Sequence, residues 1–309
     1  MLRSALTALT LALGVTILST TGLSAQARTP GLGHDIPTST RGMALGGAYM
    51  MDAEYADAVF VHPSLLLGAS GMTLDVQRWG SATGSMSAAA ATSWFNGSIG
   101  VGIGVQAMQH GYAPASTSTP GSHVLDPLFS SASPGDDPVS ERAAVLGLSR
   151  SFGGVGDVDW GVAVRLSEER VGVARRTDVE VLLGASREVG PVTVGVTYPD
   201  VGRSVSDLDI GVGAYGWELG PLDVGVSGRL GGFHDEVRGG GGVEVGYWPV
   251  RGRTFVGRLG AQVVPDGSNA SPFTFGFAFW GDDLVVEWAF QPFDGAPESG
   301  THRFSIGWR

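Results

Sequence analysis

The sequence predicts an all-β protein, a transmembrane antiparallel up-and-down β-barrel of about fourteen strands behind an N-terminal plug segment. Three observations carry this. Residues 71–309 read as one long series of period-2 segments. From the second connection onward the links between them alternate short and long. Charges inside the segments sit on the parity opposite the large apolar residues, as a barrel needs when one face meets lipid.

Residues 1–27 read as a processing signal. Arg3 supplies the charged start, Ala5 to Ile17 is a short apolar run, and Ala25-Gln26-Ala27 fits the small-x-small cleavage rule, so the mature chain is expected to begin at Arg28. Export and, with the barrel, a bacterial outer-membrane location follow. Beyond that run no stretch reaches the roughly 18 apolar residues of a membrane helix, so a membrane assignment rests on strands.

Residues 28–70 break the strand pattern. They hold Pro30, Pro37, Pro63, the Gly46-Gly47 pair and a helix-compatible stretch over 48–58. Strands then follow in order: Met72/Leu74/Val76, a small-residue strand over 85–95, Ile99/Val101/Ile103/Val105, Ala144/Leu146/Leu148, Trp160 to Leu166, Val179/Val181/Leu183 and Val192 to Tyr198. The second half continues with Leu208/Ile210/Val212, Leu222/Val224/Val226, Val243/Val245/Tyr247, Phe255/Leu259/Val263, Phe273 to Phe279, Leu284 to Phe290 and Phe304/Ile306/Trp308. Asp75, Arg165, Glu180, Asp209, Arg229, Glu244, Arg258, Glu287 and Arg303 all take the other parity and are expected in the lumen. A lipid-facing Arg at the bilayer midplane would cost about 2–4 kcal/mol.

Asn96-Gly97 signals a type I′ hairpin. Further short turns are expected at 153–157, 188–191, 220–221, 249–252 and 281–283, and longer external links at 109–140, 167–177, 199–206, 231–240, 265–271 and 292–301. The link over 80–84 is an exception, external yet short.

Composition agrees with this reading. Gly makes up 50 of 309 residues, about twice the usual share of roughly 7%, without a collagen period. Cys is absent, which removes disulfides, thiolate metal sites and cysteine nucleophiles. Every basic residue is Arg or His, and a net charge of −11 without a basic cluster argues against nucleic acid or an anionic lipid surface as the main partner. Small inward residues such as Gly100/Gly102/Gly104 and Gly211/Gly213 reflect either compositional bias or room for a plug and an apolar ligand.

Arg41-Gly-Met43-Ala-Leu-Gly46-Gly47-Ala48, followed by Asp57-Ala-Val-Phe-Val-His62-Pro63-Ser64-Leu-Leu66, resembles the signature R-x-x-x-[ML]-G-G-A … D-A-x-x-x-N-P-A-x-L. That signature marks the superfamily of FadL-type long-chain fatty-acid transporters and PorV-type secretion-associated barrels. His62 departs from the usual Asn, and Ser64 from Ala. The resemblance implies that the N-terminal segment folds into the lumen as a plug, with Gly46 and Gly47 approaching the wall closely. It also implies that Arg41, Asp52 and Asp57 pair with lumenal charges such as Arg165 or Glu244.

Enzyme motifs are lacking: no G-x-S-x-G elbow, H-E-x-x-H pair or phosphate loop occurs. His234-Asp235-Glu236 and Asp136-Asp137 read as solvated loop acids rather than a metal site, and no cofactor is implied. In the largest link Val124, Leu125, Leu128 and Phe129 form an apolar patch, a candidate capture surface for a small hydrophobic solute, a docking surface for a secretion partner protein, or a lid. Outer-membrane lipid is the remaining expected partner.

Overall fold

Alternation of large apolar with small or charged residues sends successive side chains of each strand to opposite faces, and closing the sheet removes its edges. In the computed structural model, residues 39–48, 51, 55–79, 83–110, 139–152, 157–171, 174–199, 208–233, 236–250, 252–264, 270–293 and 296–309 are described. They lie within one compact unit, Gly31–Arg309.

The strands are β1 (Gly71–Trp79), β2 (Thr83–Trp94), β3 (Ile99–His110), β4 (Val139–Phe152), β5 (Val158–Val171), β6 (Ala174–Val189) and β7 (Val192–Tyr198). They continue with β8 (Asp209–Leu219), β9 (Leu222–Phe233), β10 (Glu236–Val250), β11 (Arg253–Gln262), β12 (Phe273–Trp280), β13 (Leu284–Phe293) and β14 (Ala296–Trp308). Each pairs with its sequence neighbours, and β1 pairs antiparallel with β14 from Met72↔Trp308 to Trp79↔Thr301, so the fourteen strands form a closed barrel. No helix among the described residues is long and apolar enough to cross a membrane; the chain crosses with strands.

Both faces follow the parity rule. Met72, Ile103, Leu146, Leu166, Phe277 and Phe304 are exposed on the outer wall, while Asp75, Arg165, Glu180, Glu244, Arg258, Glu287 and Arg303 are buried inside. On the outer wall Phe277, Trp288 and Phe290 stack in sequence with centroids 6.0 Å apart, within the range for favourable aromatic pairs.

The short turns at 96–97, 188–191, 220–221 and 281–283 stand where the sequence places them, while residues 153–156 and 251, and most of the links over 109–140, 199–206 and 265–271, lie outside the described residues. Ser98 N donates to Phe95 O at 3.3 Å around Asn96 (φ 56°) and Gly97 (φ 82°), the positive φ pair that a type I′ turn requires. Three of the expected long links are corrected. Residues 167–177, 231–240 and 292–301 are mostly strand, since β5 runs to Val171 and β6 starts at Ala174, β9 to Phe233 and β10 at Glu236, β13 to Phe293 and β14 at Ala296. Beyond the bilayer both faces of a hairpin meet water, so polar sequence there continues the ladder rather than ending it. Glu169↔Arg176 and Glu168↔Thr177 extend the β5–β6 register into such a hairpin.

The helix-compatible stretch is corrected as well. Helices α1 (Thr40–Ala44) and α2 (Ala58–Val61) lie on either side of it, and the described residues between, among them Ala48, Met51 and Tyr55, are not helical. Gly46 at φ 65° and Gly47 at φ 76° end α1 in a left-handed conformation that stops the helix. A 3-10 turn, Pro63–Leu67, follows α2.

Candidate functional site

The residues of α1, α2 and the 3-10 turn are packed against the inward faces of the barrel strands. Ser39 Oγ caps α1 by accepting from Gly42 N at 2.8 Å. This helix lies against β11–β14, where strand glycines leave room for it. A Cβ at Gly242 would meet Leu45 at 2.7 Å, and one at Gly46 would strike the Ala261 backbone. Gly46 N donates to Thr274 Oγ1 at 3.1 Å, and Thr274 Oγ1 donates to Ala44 O at 3.0 Å, pinning the α1 end to β12.

Helix α2 and the 3-10 turn lean on the other side of the wall, β2–β6. A Cβ at Gly102 would meet Leu66 at 2.6 Å and Val59 at 3.2 Å; one at Gly147 would meet the same two side chains, and one at Gly184 would meet His62 at 3.0 Å. Val59, Leu66, Phe60 and Met51 thereby bury their apolar surface against small inward residues. These inward glycines are thus seats for particular side chains.

Two ionic clusters tie this segment to the strands. In the first, Arg41 Nε donates to Glu244 Oε2 at 3.0 Å and Nη2 pairs with Oε1. Glu244 also accepts from Arg258 Nε at 3.1 Å, and Arg258 Nη2 stands 2.8 Å from Glu287. The Arg41 guanidinium lies 5.1 Å from the Tyr215 ring and 5.5 Å from Trp280, so its remaining faces meet aromatic quadrupoles. In the second, Asp75 Oδ1 accepts from Thr40 Oγ1 at 2.9 Å and from Arg303 Nε at 3.2 Å. Arg303 extends to Gln77 and Ser87 at 2.7 and 3.2 Å.

Other sequence-selected residues lie elsewhere. Arg165 pairs not with the N-terminal segment but with Glu141 at 3.2 Å and Glu180 at 3.8 Å, along the β4–β6 wall. Arg229 holds Asp209 at 2.5 Å between β8 and β9. Asp57 is buried beside α2, and among the described residues its Oδ1 has no hydrogen-bond partner. Burial, and next the Asp75 and Glu287 charges, push its carboxyl well above the usual range. His62, just before Pro63, sits in the apolar seat formed by Gly184 and Gly195. Its Nδ1 lies 2.8 Å from Ser64 Oγ, which lies 2.7 Å from Ser186 Oγ. Burial lowers the imidazole pKa from 6.5 to about 3, so the ring is neutral.

Asp52, Val124, Leu125, Leu128 and Phe129 lie outside the described residues, as do residues 1–27 and the Asp136-Asp137 and His234-Asp235 pairs. No group of three His, Cys, Asp or Glu among the described residues could hold a metal ion. Sequence reasoning missed Thr40, Tyr215, Thr274 and Trp280. The signal for two of them was present, because Tyr215 shares parity with Asp209 and Trp280 with the small residues of β12.

This geometry defines a class: a fourteen-stranded membrane-spanning barrel with an N-terminal segment docked on its inner wall by ionic clusters and glycine seats. The solved structures narrow it. A TodX monoaromatic hydrocarbon channel variant superposes with TM-score 0.55 at 10% identity over 88% of this chain and 97% of that one. A Pseudomonas aeruginosa FadL homologue does so with TM-score 0.53 at 9% identity over 87% of this chain and 97% of that one. The chain has the fold of the FadL-type outer-membrane barrels. No protein-family profile matches it, and no curated protein does.

Proposed function

We propose that the chain is an outer-membrane channel for passive passage of small hydrophobic compounds, with residues 28–70 as its plug. The observation that carries this reading is the seating of Leu66, Val59 and His62 on Gly102, Gly147 and Gly184. A wall built from absent side chains holds an apolar segment by shape, and shape-held contacts can separate without breaking covalent bonds. Likeness of fold to a monoaromatic hydrocarbon channel supports the solute class.

In this mechanism a solute is captured by the link over 109–140, whose sequence carries the apolar Val124, Leu125, Leu128 and Phe129, and enters the lumen. The plug then shifts and the solute leaves. Arg41–Glu244 and Thr40–Asp75 act as latches, since they join plug to wall and are the contacts that a shift must exchange. No cofactor and no covalent step is needed.

The test has two parts. Mass spectrometry of a lipid extract from the detergent-purified protein should recover a stoichiometric hydrophobic compound; recovery of none, with a stoichiometric protein partner instead, sinks the solute reading. Removing residues 28–70 should raise ion conductance in planar bilayers, and unchanged conductance sinks the plug reading.

A further inference from the structure

Asp57 stands immediately before α2 and is 5% exposed, yet its side chain does not cap that helix, and its Oδ1 has no hydrogen-bond partner among the described residues. An aspartate at this position ordinarily turns its carboxylate to the N–H groups of the first turn. Its neighbours account for its burial. Val59 and Phe60 fill the space left by Gly102, Gly104 and Gly147 on β3 and β4, and seating those side chains carries the carboxyl into the lumen with them.

The charged groups around it come from β1, β13, β14 and α1. Asp75 on β1, Ser305 on β14 and Glu287 on β13 are cross-strand partners in that order, a row with an acid at each end. Each of these acids already holds an arginine: Arg303 stands 3.2 Å from Asp75, and Arg258 stands 2.8 Å from Glu287. The charges acting on Asp57 are, from the strongest, Asp75, Glu287, Arg303 and Arg41, so the two like charges outweigh the two opposite ones. Tyr55, two positions earlier, is engaged by Arg309. Burial and like charge both favour the neutral acid. No group of three His, Cys, Asp or Glu among the described residues could hold a metal ion, and a proton is the cation that suits a single orphaned carboxyl.

We propose that this place on the inner wall is a proton-binding site that governs docking: Asp57 enters the barrel as a neutral carboxylic acid, and loss of its proton loosens residues 39–70 from the wall. Off the wall the segment carries an ordinary aspartate, ionised at neutral pH. Each docking event therefore takes up one proton, and each release returns it. The sign follows from linkage. Docking is fully favoured below the ordinary aspartate range and weakens as pH rises towards the pKa of the docked group. His62 acts in the opposite sense, but its undocked pKa of 6.5 confines that effect to lower pH. The inference goes beyond the plug reading, since docking is measured whether or not the barrel conducts.

The test is amide hydrogen exchange of the full chain in detergent micelles, labelled at pH 7, 8 and 9 for times scaled to the intrinsic exchange rate and read by mass spectrometry over residues 39–66. Wild-type protection should fall as pH rises, by up to about tenfold per pH unit, while peptides from β11 and β12 stay constant. Asp57→Asn, which keeps the shape of the neutral acid, should hold its protection throughout. The infrared spectrum of the wild type at pH 7 should contain the carbonyl stretch of a protonated carboxylic acid that Asp57→Asn lacks. Equal pH profiles in the two proteins, or equal carboxylic acid bands, overturn the proposal. Should the amide variant fail to fold, the wild-type profile decides: a fall supports the site and a flat profile overturns it. Unchanged conductance after removal of residues 28–70 sinks the plug reading and leaves these profiles as they are.

Discussion

Arg41 and Glu244 lie 203 positions apart in the chain, yet the guanidinium of one donates to the carboxylate of the other at 3.0 Å inside the barrel. Glu244 is shared with Arg258, so the N-terminal segment enters a wall network that would otherwise carry one cation fewer.

Arg41→Ala should therefore destabilise more than a surface charge deletion. Breaking a buried pair costs about 3–5 kcal/mol, although Arg258 remains to neutralise Glu244 and keeps the loss near the lower end. Chemical unfolding in detergent, compared with Arg41→Ala/Glu244→Gln, measures the coupling. A double variant that loses the sum of the two single losses would show that the pair is uncoupled.

Glycine seats give a second outcome. Gly102→Val places branched carbon where Leu66 and Val59 already stand, and overpacking of this kind costs about 1–3 kcal/mol. Gly257→Ala is the matched control, because nothing lies within 4 Å of its missing Cβ. Limited proteolysis should cut the 39–70 segment faster in the first variant and at the wild-type rate in the second.

His62 makes docking sensitive to acid. Its folded pKa lies near 3 and its unfolded pKa near 6.5, so below pH 6.5 the unfolded chain takes up a proton that the folded one refuses. Its contribution is fully favourable above that pH and is lost as pH falls, by about 2 kcal/mol at pH 5. Asp57 shifts the opposite way, so the measurement is the stability difference between wild type and His62→Asn, in which Asp57 cancels. The difference should shrink or reverse by about 2 kcal/mol between pH 7 and 5; a constant difference contradicts a neutral His62.

Outer-wall parity predicts the last contrast. Leu146→Arg, on an exposed β4 position, should cost about 2–4 kcal/mol if it lies near the midplane. Its neighbour Val145 faces inward, in the buried cluster with Val59, Phe60 and Leu66 and opposite Arg165, and the near-isosteric Val145→Thr should cost less. Thermal shifts of electrophoretic mobility report both.

The strands were legible because lipid and lumen demand opposite chemistry at alternate residues, and β12 with Phe273, Phe275, Phe277 and Phe279 shows this most plainly. The hairpins over 167–177, 231–240 and 292–301 were not, because water on both sides removes that alternation. At the candidate site the residue types were readable and the partners were not. Arg41 had several lumenal carboxylates to choose from; the docking of α1 brings Glu244 beside it, and the register of β10 with β11 adds Arg258 opposite. Thr40 and Thr274 carry no sequence signal, since a threonine that bonds a particular carboxylate or carbonyl looks like any other.

Arg309 donates to the Tyr55 hydroxyl at 2.9 Å and stacks 5.1 Å from its ring, beside the seam where β14 meets β1. One arginine thus joins the inner segment to the strand pair that closes the barrel, so unzipping that pair also releases a fastening of the interior.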